Sequence, residues 1–308
     1  MKQGNVTILG SYVVDLMARV PHLPVSGETV RGSMFKFGPG GKGSNQAVAA
    51  HRAGASVRFI TRLGDDIFGE AALRFYRQEG VDLTHVYKSA SDPTGAALIM
   101  VDDRTGSNKI AVVPGACDSI TAAEVESARP AIEQADVFLT QLETNIDAVE
   151  RAVAIAAAAG VSVILNPAPA GEVSDAILSR VDIITPNETE AAILSGVDVD
   201  CEESALRSAR ALLKRGAKTA IITLGEKGSL IVTAGDFHRI APLKVQAVDS
   251  TGAGDAFNGA LATALSEGMP LERAAAFASV AAGLSVTRVG TAPAMPRREE
   301  IDGALNRF

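Results

Sequence analysis

DVFLTQLE (136–143), SVILNP (162–167), DIITPN (182–187) and TAIITLG (219–225) recur through the second half of the chain. Each is a short apolar run, rich in β-branched residues and closed by a turn or polar residue, which is the pattern of a buried strand. Helical runs separate them: 145–160, a shorter one, 189–196 and 202–216. The Ala-rich run AVERAVAIAAAAG (148–160) resembles low complexity, but Glu150, Arg151 and the closing Gly160 fit a packed helix. The strands are apolar at successive positions rather than alternate ones, so both of their faces need cover. That predicts an α/β fold, a mostly parallel sheet with helices on either side. Toward the N-terminus, VTILG (6–10) and VRFITRLG (57–64) read as strands of the same kind, with a helix over SNQAVAAHRAG between them.

Two stretches break this rhythm. Residues of about 12–37 and 94–113 read as strands and turns without a helix, and DRTGSN (103–108) is a turn between two β-rich runs. No Pro-, Gly- or Ser-rich linker separates independent domains and no internal repeat occurs. One domain over 1–308 with an inserted β element is the expectation.

Composition narrows the function. Apolar residues make up 47% of the 308, enough for a large core. Acidic residues outnumber basic ones by 36 to 29, with no Lys/Arg block, which argues against a nucleic-acid or anionic-membrane partner. Cys117 and Cys201 form no CxxC, and His22, His51, His85 and His238 lack metal-ligand spacing. The longest uncharged stretch near the C-terminus, between Arg273 and Arg288, has 14 residues, short of the ~18 expected of a membrane span. The start, MKQGNVTILG, shows no secretory pattern, so a cytoplasmic protein is expected.

Chemistry concentrates in two glycine motifs. Asp249-Ser250-Thr251-Gly252-Ala253-Gly254-Asp255 runs straight into AFNGALATAL, a helix. The amides of Gly252, Ala253 and Gly254 at a helix start form an anion cradle. A carboxylate beside such a cradle repels the phosphate it would hold. Asp255 fits there as a base that takes a proton from an alcohol attacking a phosphoryl group, or else as a helix cap. The second motif, GPGGKGSNQAVAAHRAG (38–54), is a glycine-rich turn entering a helix, with Lys42 and Asn45 placed to meet ligand hydroxyls.

With VTILGSYVVD (6–15), RLGDDIFGE (62–70), QLE (141–143), NPAPA (166–170), ITPNETEA (184–191) and ITLGEKG (222–228), these motifs resemble, in order, segments of the PfkB family of carbohydrate kinases, also called the ribokinase family. The likeness covers about residues 6–302. It implies a three-layer α/β/α sandwich whose 12–37 and 94–113 segments form a β-sheet lid, and a homodimer made through that lid. The implied reaction moves the γ-phosphoryl of ATP to the primary hydroxyl of a small sugar. D-ribose leads; deoxyribose, fructose, 2-keto-3-deoxygluconate and nucleosides are the alternatives.

The resemblance also assigns residues. Asp255 is the implied base, served by the Gly252–Gly254 amides. Asp15, Gly41, Lys42, Gly43, Asn45 and Glu143 match sugar-holding positions. Asn187, Thr223, Gly225, Gly228, Gly254 and Ser279 fall on the nucleotide side, and Glu190 would organise Mg²⁺ through water. Asp249, Thr251, Ser285, Arg288 and Gly290 match an activating K⁺ site. Two positions depart from the pattern: Val13 stands where ribokinases usually carry an asparagine, and Ala294 where the last cation ligand is usually a serine. Each residue also has a structural reading: Asp15 as a turn starter, Glu143 as the cap of a helix near Asn145, Lys42 as a solvated surface lysine.

Two rivals remain at this point. GPGGKG (38–43) also satisfies GxGxxG, with Asp65 about 20 residues on, the fingerprint of an NAD-dependent oxidoreductase. It leaves 249–255 unexplained. A non-catalytic sugar-binding module would leave Asp255 without a purpose. No GxxxxGK[ST] phosphate loop is present.

Overall fold

The computed structural model describes residues 3–306. Among them run strands β1 (Asn5–Leu9), β2 (Val13–Val20), β3 (Met34–Gly40), β4 (Ser56–Gly64), β5 (Val86–Ser89), β6 (Thr94–Asp102), β7 (Asn108–Gly115), β8 (Val137–Thr140), β9 (Ser162–Leu165), β10 (Ile183–Ile184), β11 (Thr219–Thr223), β12 (Ser229–Val232) and β13 (Phe237–Ile240). The helices are α1 (Lys42–Arg52), α2 (Ile67–Glu79), α3 (Ala122–Ser127), α4 (Arg129–Glu133), α5 (Ile146–Ala158), α6 (Asp175–Leu178), α7 (Glu188–Ser195), α8 (Glu202–Lys214), α9 (Ala253–Ser266), α10 (Leu271–Ser285) and α11 (Arg298–Leu305).

The central sheet has the order β13-β12-β11-β10-β9-β8-β1-β4-β5 and is parallel from β5 through β11. Its apolar strands feed two cores at once. Val6, Ile8, Val137, Leu139 and Ile221 pack toward α1, α9 and α10. Their neighbours Leu9, Phe138 and Ile222 pack toward α5 and α8. Helices therefore cover both faces, and this is why successive residues in each strand are apolar. The antiparallel hairpin β12–β13 extends one edge, and DIITPN contributes only Ile183–Ile184 as strand.

The other sheet, β3-β2-β6-β7, is the lid; β2 and β6 are parallel, the outer pairs antiparallel. It runs a few residues past the expected segments, to Gly40 and Gly115. The glycine-rich turn is also shorter than expected. Gly38, Pro39 and Gly40 complete β3, paired with Asp15, Val14 and Val13. An edge strand admits proline because one of its sides needs no ladder bond. The turn itself is Gly41, at φ 88°, where a Cβ would lie 2.8 Å from Val13 N. Since this run leads from the lid and not from the parallel sheet into α1, it does not build a dinucleotide site, and the oxidoreductase alternative fails.

Strand order reverses between β1 and β8. From β1 the chain steps to β4 and β5 on one side, then from β8 to β11 on the other. Ligands of open α/β sheets bind at the carboxyl ends of strands at such a reversal. Gly10-Ser11 after β1 and Gln141-Leu142-Glu143 after β8 stand there. Among the described residues no helix is long and apolar enough to cross a membrane.

Candidate active site

Helix α9 brings Asp255 to this crevice. Its N-cap, Gly252, sits at φ 78° and carries no side-chain cap. A Cβ on Gly254 would meet nothing within 4 Å, so the start of the helix is open to a ligand. Asp255 is only 6% exposed, and its carboxylate does not cap α9. Its Oδ2 accepts from Asn45 Nδ2 at 2.9 Å and its Oδ1 from Gln46 Nε2 at 3.0 Å. Burial raises its pKa, with nearby Glu143 adding to that, against Lys42 and the two amides, which lower it.

The first turn of α1 is fastened by Glu143. Its Oε2 accepts from the Lys42 N–H at 2.8 Å and from Ser11 Oγ at 2.5 Å. Glu143 is thus a cap, but of α1 rather than of the helix near Asn145, and this holds it in the crevice. Lys42 is half-buried, not a solvated lysine. Burial opposes its charge, yet the Asp255, Glu143 and Glu190 carboxylates outweigh that and raise its pKa. One ammonium thus lies among three carboxylates in the crevice.

Asp15, on β2, hangs from the lid into the same crevice. Burial, with Glu143 and Asp255 nearby, raises its pKa to about 6; a hydrogen bond from Thr291 opposes the rise. Thr291 Oγ1 lies 3.4 Å from Asp15 Oδ2 and 3.1 Å from Pro39 O, tying the lid's base to the loop before α11. Asp15 is therefore no mere turn starter. A Cβ on Gly40 would come within 2.2 Å of its carboxylate. A surface cavity of about 730 Å³ along α3–α5 contains none of these residues. Charge and burial, not volume, locate the site.

Three comparisons bear on this geometry. Residues 3–298 match the pfkB family of carbohydrate kinases. The chain belongs to that family. Over 296 residues it is 43% identical to the ribokinase of Haemophilus influenzae, covering 96% of each chain. It is 35% identical to the deoxyribokinase of Salmonella typhimurium over 303 residues, 98% of this chain and 99% of that protein. A solved structure of Arabidopsis thaliana ribokinase complexed with ribose and ATP superposes with a TM-score of 0.90 at 30% identity, covering 99% of both chains.

In this pfkB chain the positions assigned to nucleotide and cations cluster unevenly. Asn187 and Glu190 form a capping box on α7: Glu190 N donates to Asn187 Oδ1 at 2.8 Å, and Asn187 N donates to Glu190 Oε2 at 3.0 Å. Glu190 nonetheless faces Lys42 and Asp255, and burial raises its pKa. Thr223 pairs with Asn187 in an isolated bridge. Gly225 and Gly228 bound the following turn at φ 55° and 90°, and a Cβ on Gly228 would strike Ile240 O at 2.1 Å. Ser279 is buried in α10. Asp249 accepts from Thr251 N and Gly290 N, both at 3.0 Å, which folds three of the five cation positions together. Burial opposes the charge of Asp249, but these donors hold its pKa below the ordinary value. Ser285 Oγ turns to Ala282 O, and Arg288 pairs with Glu300.

Gln46, Gln141, Asn166 and Ser11 fall inside the quoted motifs but were given no role, and Thr291 lies outside every one of them. The one available signal was Gln46, a polar residue just before the apolar run Ala47-Val48-Ala49-Ala50 of a buried helix face.

Proposed function

We propose that this protein is an ATP-dependent kinase that phosphorylates the primary hydroxyl of D-ribose to give D-ribose 5-phosphate. The observation that carries the reading is a buried carboxylate, Asp255, held by side chains of α1 beside an open helix start and facing Lys42. Asp255 takes the hydroxyl proton as the sugar oxygen bonds to the γ-phosphorus and the bond to ADP breaks. The Gly252, Ala253 and Gly254 amides and Lys42 take up charge on the transferring group. Asp15 and Asn45 hold hydroxyls; Asn45 Oδ1 is buried without a partner, an acceptor awaiting a donor. Gly41 and Gly43 let the backbone close around the sugar.

Mg²⁺ fits this site only as a companion of the phosphates. Among the described residues no group of three His, Cys, Asp or Glu forms a cage, and Asn187 engages both Glu190 oxygens. Glu190 would meet the ion through water, and the ion would offset charge on the phosphates. The clustering of Asp249, Thr251 and Gly290 supports a K⁺ role for that loop, joined by Ser285 and Arg288 through their backbone. Asn187, Thr223, Gly225, Gly228 and Ser279 would line the nucleotide. A cytoplasmic location suits an ATP-consuming enzyme.

2-Deoxyribose is the second reading, favoured by Val13, which is 3% exposed and offers no hydrogen bond at the sugar end of β2. A coupled ADP assay on a panel of D-ribose, 2-deoxyribose, fructose, 2-keto-3-deoxygluconate and nucleosides, run on the native chain and on Val13→Asn, tests both. Ribose turnover is expected, and Val13→Asn should lower its KM by roughly 2- to 13-fold with kcat unchanged. No ADP above background with any acceptor would refute the kinase. An unchanged or higher ribose KM in the variant would mean a pocket shaped for another sugar.

A homodimer through the lid is part of the same reading. Phe35, Phe37, Leu98, Ile110, Val112 and Val113 are exposed there, while Ile99 and Val101 are half-buried. Four strands with apolar residues open on both faces invite a second copy. Light scattering at micromolar concentration is expected to give the dimer mass; a monomer rules the interface out.

A further inference from the structure

Behind Asp255 lies a chain of side-chain amides whose direction is fixed by one backbone carbonyl. Asn166 Nδ2 donates to Thr185 O at 3.1 Å, and a carbonyl can only accept. Asn166 therefore turns its Oδ1 toward Gln46, whose Nε2 donates to it at 3.0 Å. Gln141 Nε2 donates to Gln46 Oε1 at 2.6 Å, supplying a donor for the other end of the same amide. The second N–H of Gln46 Nε2 is left for Asp255 Oδ1, at 3.0 Å. Gln46 is 0% exposed, so it reaches no ligand directly.

The two oxygens of Asp255 consequently differ. Oδ1 faces a donor that cannot turn round, because reversing Gln46 would set its oxygen against Asn166 Oδ1, which Thr185 O holds in place. Oδ2 faces Asn45, whose own Oδ1 has no partner. No protein contact opposes turning that amide over, and turned it would accept from a protonated Oδ2. We propose that Gln46 is a positioning residue that holds a fixed N–H against Asp255 Oδ1 and so confines the transferred proton to Oδ2. The inference rests on Asp255 acting as the base.

Gln46→Met keeps the side chain's length and removes the donor. An N–H donor favours the carboxylate over the carboxylic acid, so its loss raises the pKa of Asp255. Activity needs the carboxylate, so the acid limb of the kcat profile should move up by about one pH unit or more, with both KM values near native. Lys42 on α1, Glu143 beyond β8, Glu190 on α7 and Asp15 on β2 also face Asp255 and are unchanged in the variant. Asn166→Leu, which removes the acceptor that orients Gln46 and so frees that amide to turn, should move the limb the same way by less, and it serves if Gln46→Met does not fold.

A second measurement needs no substrate. In protein labelled with ¹³C at aspartate Cγ, the resonance absent from Asp255→Asn should titrate at higher pH in Gln46→Met. If kcat falls evenly at all pH values and neither the limb nor the resonance moves, Gln46 is only a packing residue. If the resonance moves but the native protein makes no ADP with any sugar, it is the kinase reading that fails.

Discussion

Asp255→Asn is expected to lose 10²-fold or more in kcat while its affinity for ATP stays near native. That loss corresponds to about 2.7 kcal/mol of transition-state stabilisation. The substitution is a fair test because the surroundings can accept the amide. Its oxygen can take the place of Oδ1 opposite Gln46 Nε2, and its NH₂ can face Asn45, whose unpartnered Oδ1 turns to receive it. Folding should be retained, and melting temperature provides the control. A helix-capping role is already disfavoured, since α9 starts at Gly252 with no side chain on its free amides. Steady-state kinetics and nucleotide titration would decide the matter. A variant with near-native kcat would strip Asp255 of its role as base and leave it a buried polar anchor for α1.

The central sheet was legible because its physics is local. A strand buried on both faces must be apolar at successive positions, and Ile8-Leu9 or Val137-Phe138-Leu139 state this in two or three residues. The edge hairpin was harder. Phe237, His238 and Arg239 of β13 are exposed and look like loop, so only pairing with β12 makes them strand. The glycine-rich turn is shorter than its composition implies for a related reason: Gly38, Pro39 and Gly40 are turn formers by composition, and only their edge position makes them strand.

In the site, legibility followed backbone chemistry. Gly41, Gly252 and Gly228 mark places where the chain takes a positive φ, and these were visible as motifs. The amides behind Asp255 stand in three of the quoted motifs, but their contact was not visible, because Gln46 meets Asn166 and Gln141 across 120 and 95 residues of sequence. No spacing encodes such contacts. The same holds for Thr291, which reaches Asp15 from 276 residues away. Glu143 does not cap the helix near Asn145 as its position suggests: its carboxylate holds the start of α1, 101 residues earlier in the chain, where nothing local to Glu143 points.

Gly43→Ala should be nearly as damaging as the loss of Asp255, although residue 43 carries no functional group. An added Cβ would lie 2.5 Å from Gly10 C, 2.6 Å from Gly10 Cα and 2.6 Å from Ser11 N. All three are backbone atoms at the end of β1, so no side chain can swing aside. The strand end and the helix are also bonded here, through Ser44 N to Ser11 O at 2.8 Å. The methyl must push α1 away from β1, which costs about 1–3 kcal/mol, toward the upper end because backbone meets backbone. Lys42, Asn45 and Gln46 ride on that first turn, and all three face Asp255. A displacement of even about 1 Å can cost 10²-fold in rate, so kcat/KM should fall by that order. Gly38→Ala is the matched control: the same substitution five residues earlier, where a Cβ would meet nothing within 4 Å. It should change stability by less than about 0.5 kcal/mol and leave kinetics intact. If Gly43→Ala were as active and as stable as Gly38→Ala, the close contact of α1 with the end of β1 would have no part in holding Asn45 and Gln46 against the base.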